Sequence, residues 1–172
     1  YPKFRLSKNS DLIRITGNEL QDYLESSYND FGQEDTILIT RSNKQANLYN
    51  QQIRGRILWY EELLCSGDCL MVVKNNYFWL DQGAKRGFIA NGDVVEVLRI
   101  NNYEDKFGFR FANVSVKFSG QTEVEEIEIK LLLDTLYTET PALSIVESNK
   151  LYEEVSNSYS DINDKRKRLQ AV

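Results

Sequence analysis

Rings, amides and cations are concentrated between residues 74 and 86 of this 172-residue chain. They are Lys74, Asn75, Asn76, Tyr77, Phe78, Trp79, Lys85 and Arg86. Proteins that bind single-stranded nucleic acid use this mixture, because rings stack on bases and cations follow the phosphate backbone. The rings also have a structural alternative, in which Phe78 and Trp79 close the bottom of a barrel or dock on a neighbouring layer. The stretch is therefore a candidate nucleic-acid contact with two open roles for its rings.

A second candidate lies at a strand-to-helix turn. The sequence "TRSNK" ends the strand-like run "TILIT" (36–40) and opens a helix at Ser42. Such turns present free backbone N–H groups that bind anions, including nucleic-acid phosphates. Arg41, Asn43 and Lys44 add cationic and amide groups at the same end. The alternative is ordinary helix capping by Ser42, with solvated charges around it.

Side chains for catalysis or metal binding are scarce. The chain has no histidine, which excludes a catalytic histidine, and with only Cys65 and Cys69, four residues apart, a zinc cluster is excluded as well. No G-x-x-x-x-G-K-S/T, G-x-G-x-x-G or G-x-S-x-G pattern occurs. The densest carboxylates, in the run 123–128, alternate along a strand and are expected on its solvated face. No catalytic residue and no metal ligand is therefore predicted.

Composition is typical of a globular protein. The hydrophobic fraction is 41%, and the formal net charge is -5 with a pI of about 4.9. This balance argues against a wholly basic nucleic-acid binder, although a local positive groove is compatible with it. No run approaches the roughly 20 apolar residues of a membrane span, and the start "YPKFRL" lacks the apolar core of a signal peptide. We expect a cytoplasmic protein with no membrane partner.

Two β-α units are predicted in the first third of the chain. The run "LIRI" (12–15) precedes a capping box of Thr16 and Glu19, and "TILIT" precedes a box of Ser42 and Gln45. Apolar residues at helical spacing follow each box. They are Leu20, Tyr23, Leu24 and Tyr28 in the first helix, and Ala46, Tyr49, Ile53 and Ile57 in the second. Consecutive β-α units predict a parallel α/β layer.

From residue 67 the pattern changes to short strands and turns. Strands are predicted at 69–73, 93–100, 107–118 and 123–130. The turn cues are Gly67-Asp68, Asn75-Asn76, Asn91-Gly92 and Asn101-Asn102. A shift of apolar phase along the third strand predicts a bulge near Asn113. We expect a small antiparallel barrel here, and helix again after residue 131, so the fold class is α+β. The cationic run 164–168 is either a solvated helix end or a nucleic-acid contact.

Three blocks of sequence resemble one family in order and spacing. They are "ILITRSNKQANLYNQQIRGRIL", "LCSGDCLMVVKNNYFW" and "GFIANGDVVEVLRI". Together they resemble the C-terminal motor region of RecD-like superfamily 1 DNA helicases, also known as the exodeoxyribonuclease V alpha chain. The resemblance covers residues 36–100, and the flanks match only by position. It implies a partial RecA-like second motor domain at 1–66 and 131–172, with an SH3-like barrel inserted at 67–130.

The resemblance also implies a function. The parent would be an ATP-dependent DNA helicase of repair or recombination, and this chain would hold single-stranded DNA. The residues expected on the DNA path are Thr40, Arg41, Ser42, Asn43, Lys74, Asn75, Asn76 and Tyr77. ATP and Mg²⁺ would belong to the full-length enzyme, because the family's phosphate-gripping motifs and its later histidine- and arginine-bearing blocks do not occur here. We therefore expect this chain to be inactive alone.

One departure from the family pattern concerns Cys69, which stands where a basic residue is common, so a phosphate contact is not expected there. The remaining motor domains of the parent are expected partners, and an incomplete parallel sheet predicts a dimer through its exposed edge. The alternative function is a protein-interaction module whose barrel docks a partner subunit or peptide. In that case, replacing Tyr77 and Trp79 should abolish partner binding and leave salt-dependent DNA binding intact.

Overall fold

The computed structural model describes residues 11–77, 80, 87–120, 125–136, 138, 142–163 and 167. The chain divides into two units, which run from Tyr1 to Trp59 and from Tyr60 to Val172. We call them the helical unit and the sheet unit. Within the described ranges, no helix is long and apolar enough to cross a membrane. The expected grouping of 1–66 with 131–172 as one motor domain stays a prediction.

The helical unit contains α1 at Leu20–Phe31 and α2 at Asn43–Arg56. Residues of both predicted capping boxes bond to each other. The Glu19 carboxylate accepts hydrogen bonds from the Thr16 N–H and from its hydroxyl, both at 2.7 Å. The N-cap of α1 is Glu19 rather than Thr16, and no side-chain cap bond is formed at this helix start, so the Thr16 hydroxyl does not cap α1. Ser42 is the N-cap of α2, and its Oγ accepts from the Gln45 N–H at 3.3 Å.

The apolar faces of α1 and α2 line one shallow groove. Its apolar lining consists of Leu20 and Leu24 on one side and Tyr49, Ile53 and Ile57 on the other. Ile53 is 6% exposed and is the one buried apolar side chain among the described residues of this unit. Tyr23, expected on the same face, is exposed. The predicted helical periodicity therefore holds with that one exception.

The two strand-like runs of this unit do not form strands. Residues 12–15 and 36–40 have no regular secondary structure, and neither is part of the sheet. Ile37 and Ile39 are 83% and 90% exposed, whereas Leu38 between them is half-buried. A strand needs a neighbouring strand to satisfy its backbone N–H and C=O groups, and the described residues supply none. The strand predictions are therefore wrong for this structure, and only the helices of the expected α/β layer are present.

The sheet unit is built on four antiparallel strands that neighbour each other in chain order. They are β1 at Cys69–Met71, β2 at Val94–Lys106, β3 at Phe109–Phe118 and β4 at Glu126–Leu132. A 3₁₀ turn at Leu133–Thr135 and a helix, α3, at Ile145–Ser158 follow. The sheet curls into a half-barrel, which confirms a mixed α+β protein with an antiparallel sheet.

One face of the sheet carries the main core. Val97, Val114 and Val116 have no exposed surface, and apolar residues of β4 and the loops surround them. Along β4, Ile127 and Ile129 are buried while the glutamates between and beside them are exposed. The solvated face predicted for the run 123–128 is confirmed at Glu125, Glu126 and Glu128, and Glu123 lies outside the described residues. The described residues contain no cluster of metal-binding side chains.

The apolar residues of β3 change from odd to even positions along the strand, and the irregularity in pairing that matches this change lies in β2. Two register shifts fall within residues 97–102 of β2, whereas β3 pairs with β4 without a shift. The bulge predicted near Asn113 is therefore wrong, because the extra residues lie in β2, opposite Asn113, and not in β3. The turn predicted at Asn101-Asn102 is also wrong, because both residues lie inside β2 at the second shift.

The chain reverses instead at Phe107 and Gly108, between β2 and β3. Both residues have positive φ, 57° and 74°, as a type I′ hairpin turn requires. Phenylalanine rarely adopts this conformation. Its ring meets Tyr159, just beyond α3, edge-on at a centroid distance of 6.5 Å. This contact places the end of α3 beside the β2–β3 turn.

Candidate nucleic-acid interface

Two turns of the same design precede β1 and β2. Residues 65–68 read CSGD and residues 90–93 read ANGD, and the glycine of each has φ 92°. In each turn the aspartate carboxylate accepts from the first residue's N–H, at 2.8 and 2.7 Å, and the aspartate N–H donates to the first residue's carbonyl, at 3.2 and 3.1 Å. Glycine supplies the positive φ that a type II turn needs in third position. The Gly-Asp pairs of the family-like pattern are thus turn-forming residues.

Each turn also binds the strand that follows the other turn. The glycine N–H donates to a valine carbonyl across the ladder, and the N–H of that valine donates to the carbonyl of the aspartate. The valines are Val97 for the first turn and Val72 for the second, and the four bonds measure 2.7 to 2.9 Å. The two strands are therefore held in one register from both ends.

This register continues to Tyr77. Asn76 and Ile89 form a bridge in step with the β1–β2 ladder, with both bonds at 2.8 Å. At the next position, Tyr77 and Phe88 stack with centroids 5.0 Å apart and planes at 30°. We call the paired segments 69–77 and 88–96 the arm. Tyr77 is 59% exposed, so the ring pair presents aromatic surface to solvent.

Asn75 fixes the orientation of the Tyr77 ring. Its Oδ1 accepts from the Asn91 N–H at 2.8 Å, and its Nδ2 donates to the Tyr77 hydroxyl at 3.0 Å. The ring is therefore supported by Phe88 and tied through Asn75 to the 90–93 turn. A ring held in this way loses little conformational freedom when a ligand stacks on it.

Lys74 is an exposed cation whose side chain has no partner within the described residues. The cations of the sheet differ, since each faces a carboxylate. The pairs are Arg99–Glu126 at 3.1 Å, Lys106–Glu104 at 2.7 Å, Arg110–Asp105 at 3.7 Å, Lys117–Glu96 at 2.9 Å and Lys130–Glu104 at 3.4 Å. Lys74 is thus available to an anion in a way that these side chains are not.

Glu104 is the shared partner of two of these lysines, Lys106 and Lys130. A hydrogen bond from Lys106 and another from Asn113 hold the pKa of Glu104 down, to about 2. Asn102 at 3.3 Å and Lys130 add to the same effect. The outer face of the sheet at β2–β4 is therefore a balanced ionic network rather than an anion-binding surface.

The second group of candidates surrounds the start of α2. The Thr40 hydroxyl donates to the Ser42 carbonyl at 3.1 Å, and Ser42 caps the helix. The first turn of α2 contains no acidic residue. The side chains of Arg41 and Asn43 are exposed and have no partner in the part of the chain that the structure describes. This end of α2 is therefore compatible with phosphate binding and with plain capping.

The eight predicted site residues form two groups, one in each unit. Thr40–Asn43 and Lys74–Tyr77 are each contiguous, and whether the two groups serve one DNA path stays a prediction. Phe78, Trp79, Lys85 and Arg86 lie outside the described residues. Phe88 is not predicted from the sequence as the stacking partner of Tyr77. The signal that points to it is the repeated Gly-Asp turn, because the two turns fix the strand pairing that places Phe88 opposite Tyr77. The chain matches no protein-family model and no curated protein.

Proposed function

We propose that this chain binds single-stranded DNA as part of a RecD-like, ATP-dependent DNA helicase of repair or recombination. The observation that carries the proposal is the exposed, stacked Tyr77–Phe88 pair on the arm, close in sequence to Lys74, which has no side-chain partner among the described residues. Stacking of one base on an aromatic side chain contributes about 1–3 kcal/mol. Lys74 would contact the phosphate backbone of the strand whose base stacks on Tyr77.

The start of α2 supports a second contact with the backbone of the strand. Its first N–H groups carry the positive end of the helix dipole, and no acidic side chain in the first turn opposes an anion. Arg41 adds a formal positive charge at this end. Thr40, Ser42 and Asn43 would position a phosphate there, so that this group contributes affinity without reading sequence.

The finer fold assignment is also a proposal. We assign the helical unit to a RecA-like motor layer and the half-barrel to an SH3-like insertion. Exposure of Ile37 and Ile39 supports the first assignment, because strands of a completed α/β layer are apolar and covered on both faces. The remaining motor domains of the parent would supply the neighbouring strands.

We assign ATP and Mg²⁺ to the parent enzyme and not to this chain. The sequence contains no phosphate-gripping loop, which supports this assignment. Both would be held elsewhere in the parent enzyme. The chain's own share in the reaction is to bind and orient the strand.

Fluorescence anisotropy of a labelled single-stranded oligonucleotide tests the proposal. We expect Tyr77→Ala to weaken binding roughly 5- to 100-fold, because one stacked base is lost. Lys74→Ala and Arg41→Ala should each weaken binding and lower the dependence on salt by about one counterion. Matched controls remove the same side chains from exposed positions that belong to neither group. They are Tyr103→Ala, Lys150→Ala and Arg14→Ala.

Equal losses in the candidate and control variants would contradict the proposal. Binding that is absent at low salt, from a chain shown to be folded, would contradict it as well. That second result would favour the protein-interaction function. One observation supports that rival, since Met71 and Val94 pair across the arm and are 64% and 40% exposed. An aliphatic surface of this kind suits a peptide or a partner subunit.

A further inference from the structure

A cleft in the helical unit contains an exposed tryptophan in an uncommon backbone conformation. Trp59 is 76% exposed and has φ 57°. Residues held in such sparsely populated regions concentrate at functional sites. The cleft has a volume of about 510 Å³, within the roughly 300–1,000 Å³ of small-ligand sites. Its other lining residues are Gln21, Glu25, Asn29, Gly55, Arg56 and Ile57.

The α1 wall of the cleft is a row of hydrogen-bonding side chains. Gln21, Glu25 and Asn29 follow each other at four-residue steps and so lie along one face of the helix. Gln21 Nε2 donates to Glu25 Oε1 at 2.9 Å. A carboxylate has about four acceptor positions, so this bond orients Glu25 and leaves it able to accept from a ligand.

The opposite wall is the end of α2. A Cβ added at Gly55 would meet no atom within 4 Å, so the missing side chain leaves this wall open. The negative end of the helix dipole and the Glu25 carboxylate both disfavour an anion, and Arg56 offsets them in part. The cleft therefore suits a flat, uncharged ring with hydrogen-bond donors better than a phosphate.

We propose that this cleft binds a nucleobase, which stacks on the Trp59 indole and donates an amino group to Glu25. Glutamate accepts in this way from the N4 amino group of cytosine. The site uses none of the eight residues of the proposed DNA path and stands independently of that proposal. The base comes either from a free nucleoside or from an unpaired position of a bound strand, and the two sources share the same chemistry.

A titration with nucleosides tests the site directly. In the Trp79→Phe variant of the full chain, Trp59 is the one remaining tryptophan, and its indole N–H is followed by NMR. We expect cytidine to shift this signal with roughly millimolar affinity. Uridine, which lacks the amino group, should bind at least about fivefold more weakly, and Glu25→Gln should remove most of this preference.

A second measurement uses a labelled, cytosine-rich single-stranded oligonucleotide. Trp59→Asn removes the ring while asparagine tolerates positive φ, and Trp59→Phe keeps an aromatic ring as the matched control. If the base belongs to a strand, Trp59→Asn weakens binding roughly 5- to 100-fold and Trp59→Phe much less. Circular dichroism of both variants checks that the chain stays folded.

The two measurements separate the possible results. A cytidine shift without a loss of oligonucleotide affinity assigns the base to a free nucleoside, and a loss with Trp59→Asn assigns it to a strand. Neither a shift nor a loss would overturn the proposal. Failure of the Tyr77 and Arg41 variants to weaken DNA binding would count against the proposed function and leave this site standing.

Discussion

The two units differ in how much apolar surface they cover. In the sheet unit Val97, Val114 and Val116 have no exposed surface, whereas in the helical unit Ile37 and Ile39 are 83% and 90% exposed. The parallel layer that we propose for the helical unit accounts for this difference. Antiparallel strands joined by short turns pair with their neighbours in sequence, but parallel strands need long crossovers and distant partners. A meander can thus be completed within a short length of chain, and a parallel layer cannot.

Helix stability depends on the same difference. α1 and α2 have 12 and 14 residues, a length at which isolated helices are marginal in water. They need tertiary packing, and Ile53 is the buried apolar side chain available to them among the described residues. We therefore expect the helical unit to be the less stable of the two.

The largest expected effect comes from the same substitution made once in each unit. Leu64→Ala removes a side chain that is 2% exposed in the sheet-unit core and should destabilise that unit by about 2–5 kcal/mol. Leu48→Ala on α2 removes one that is 56% exposed and should change stability by about 0.5 kcal/mol or less. Urea unfolding followed by circular dichroism measures both. Similar losses would show that the helical unit is better packed than its exposures indicate.

A second test uses the two Gly-Asp turns of the sheet unit. Gly92→Ala should lower the free energy of unfolding by about 1–2 kcal/mol, because alanine is strained at positive φ. No steric clash adds to this strain, since the new Cβ would meet no atom within 4 Å. Gly67→Ala should cost about 1–3 kcal/mol more, because its Cβ would collide with the Tyr60 hydroxyl. Burial, followed by the Asp68 carboxylate, raises the pKa of that hydroxyl.

The Gly67 prediction has an internal check. Tyr60→Phe removes the oxygen that the new Cβ would meet, so it should restore part of the stability of Gly67→Ala. The same change should give no such recovery in Gly92→Ala. Equal unfolding midpoints for the two alanine variants would mean that the turn at 65–68 relaxes away from Tyr60.

Local signals predicted more of this molecule than long-range ones. Ser42 does cap α2 and Glu19 does bond back to Thr16, because such bonds need only three residues of chain. The box of Ser144 and Glu147 at α3 has both bonds and carries the same signature, Ser-x-x-Glu, so it was readable from the sequence. The alternation of apolar and charged residues along β4 predicts its buried and exposed faces in the same way, because one face of that strand is solvated.

Features that depend on strand pairing were missed. The extra residues in β2, opposite Asn113, result from the way that β2, β3 and β4 pair with one another. The sequence of a single strand does not determine this pairing. Asn101-Asn102 resembles a turn locally, but the pairing of β2 with β3 continues through it. Phe88 lies 11 positions after Tyr77, and only the arm's register brings the two rings together.

Acid should weaken the sheet unit through Glu104. Its pKa in the fold is about 2, below the ordinary value of 4.5, so its ionised form stabilises the fold fully above pH 4.5 and this contribution is lost as the pH falls from 4.5 towards 2. Glu104→Gln should cost about 1–2 kcal/mol at pH 7 and progressively less in acid. Unfolding at a series of pH values checks this, with Glu128→Gln as a control at an exposed position of β4. A constant difference between wild type and Glu104→Gln from pH 7 to pH 2 would contradict it.

The smallest expected effect concerns the helix caps, which should act alike in both units. The Ser144 hydroxyl and backbone lower the pKa of Glu147, and the Glu147 N–H donates back to Ser144 Oγ at 3.2 Å. Ser144→Ala and Ser42→Ala should each cost about 1 kcal/mol, because each leaves one helix N–H without its acceptor. Amide exchange of Gln45 and Glu147 measures the loss locally. Each helix buries one apolar side chain, Ile53 in α2 and Val155 in α3, so the faster exchange should spread about equally along both helices. Wider spreading along α2 would mean that packing holds α2 less firmly than α3, and the contrast between the units would then extend from their strands to their helices.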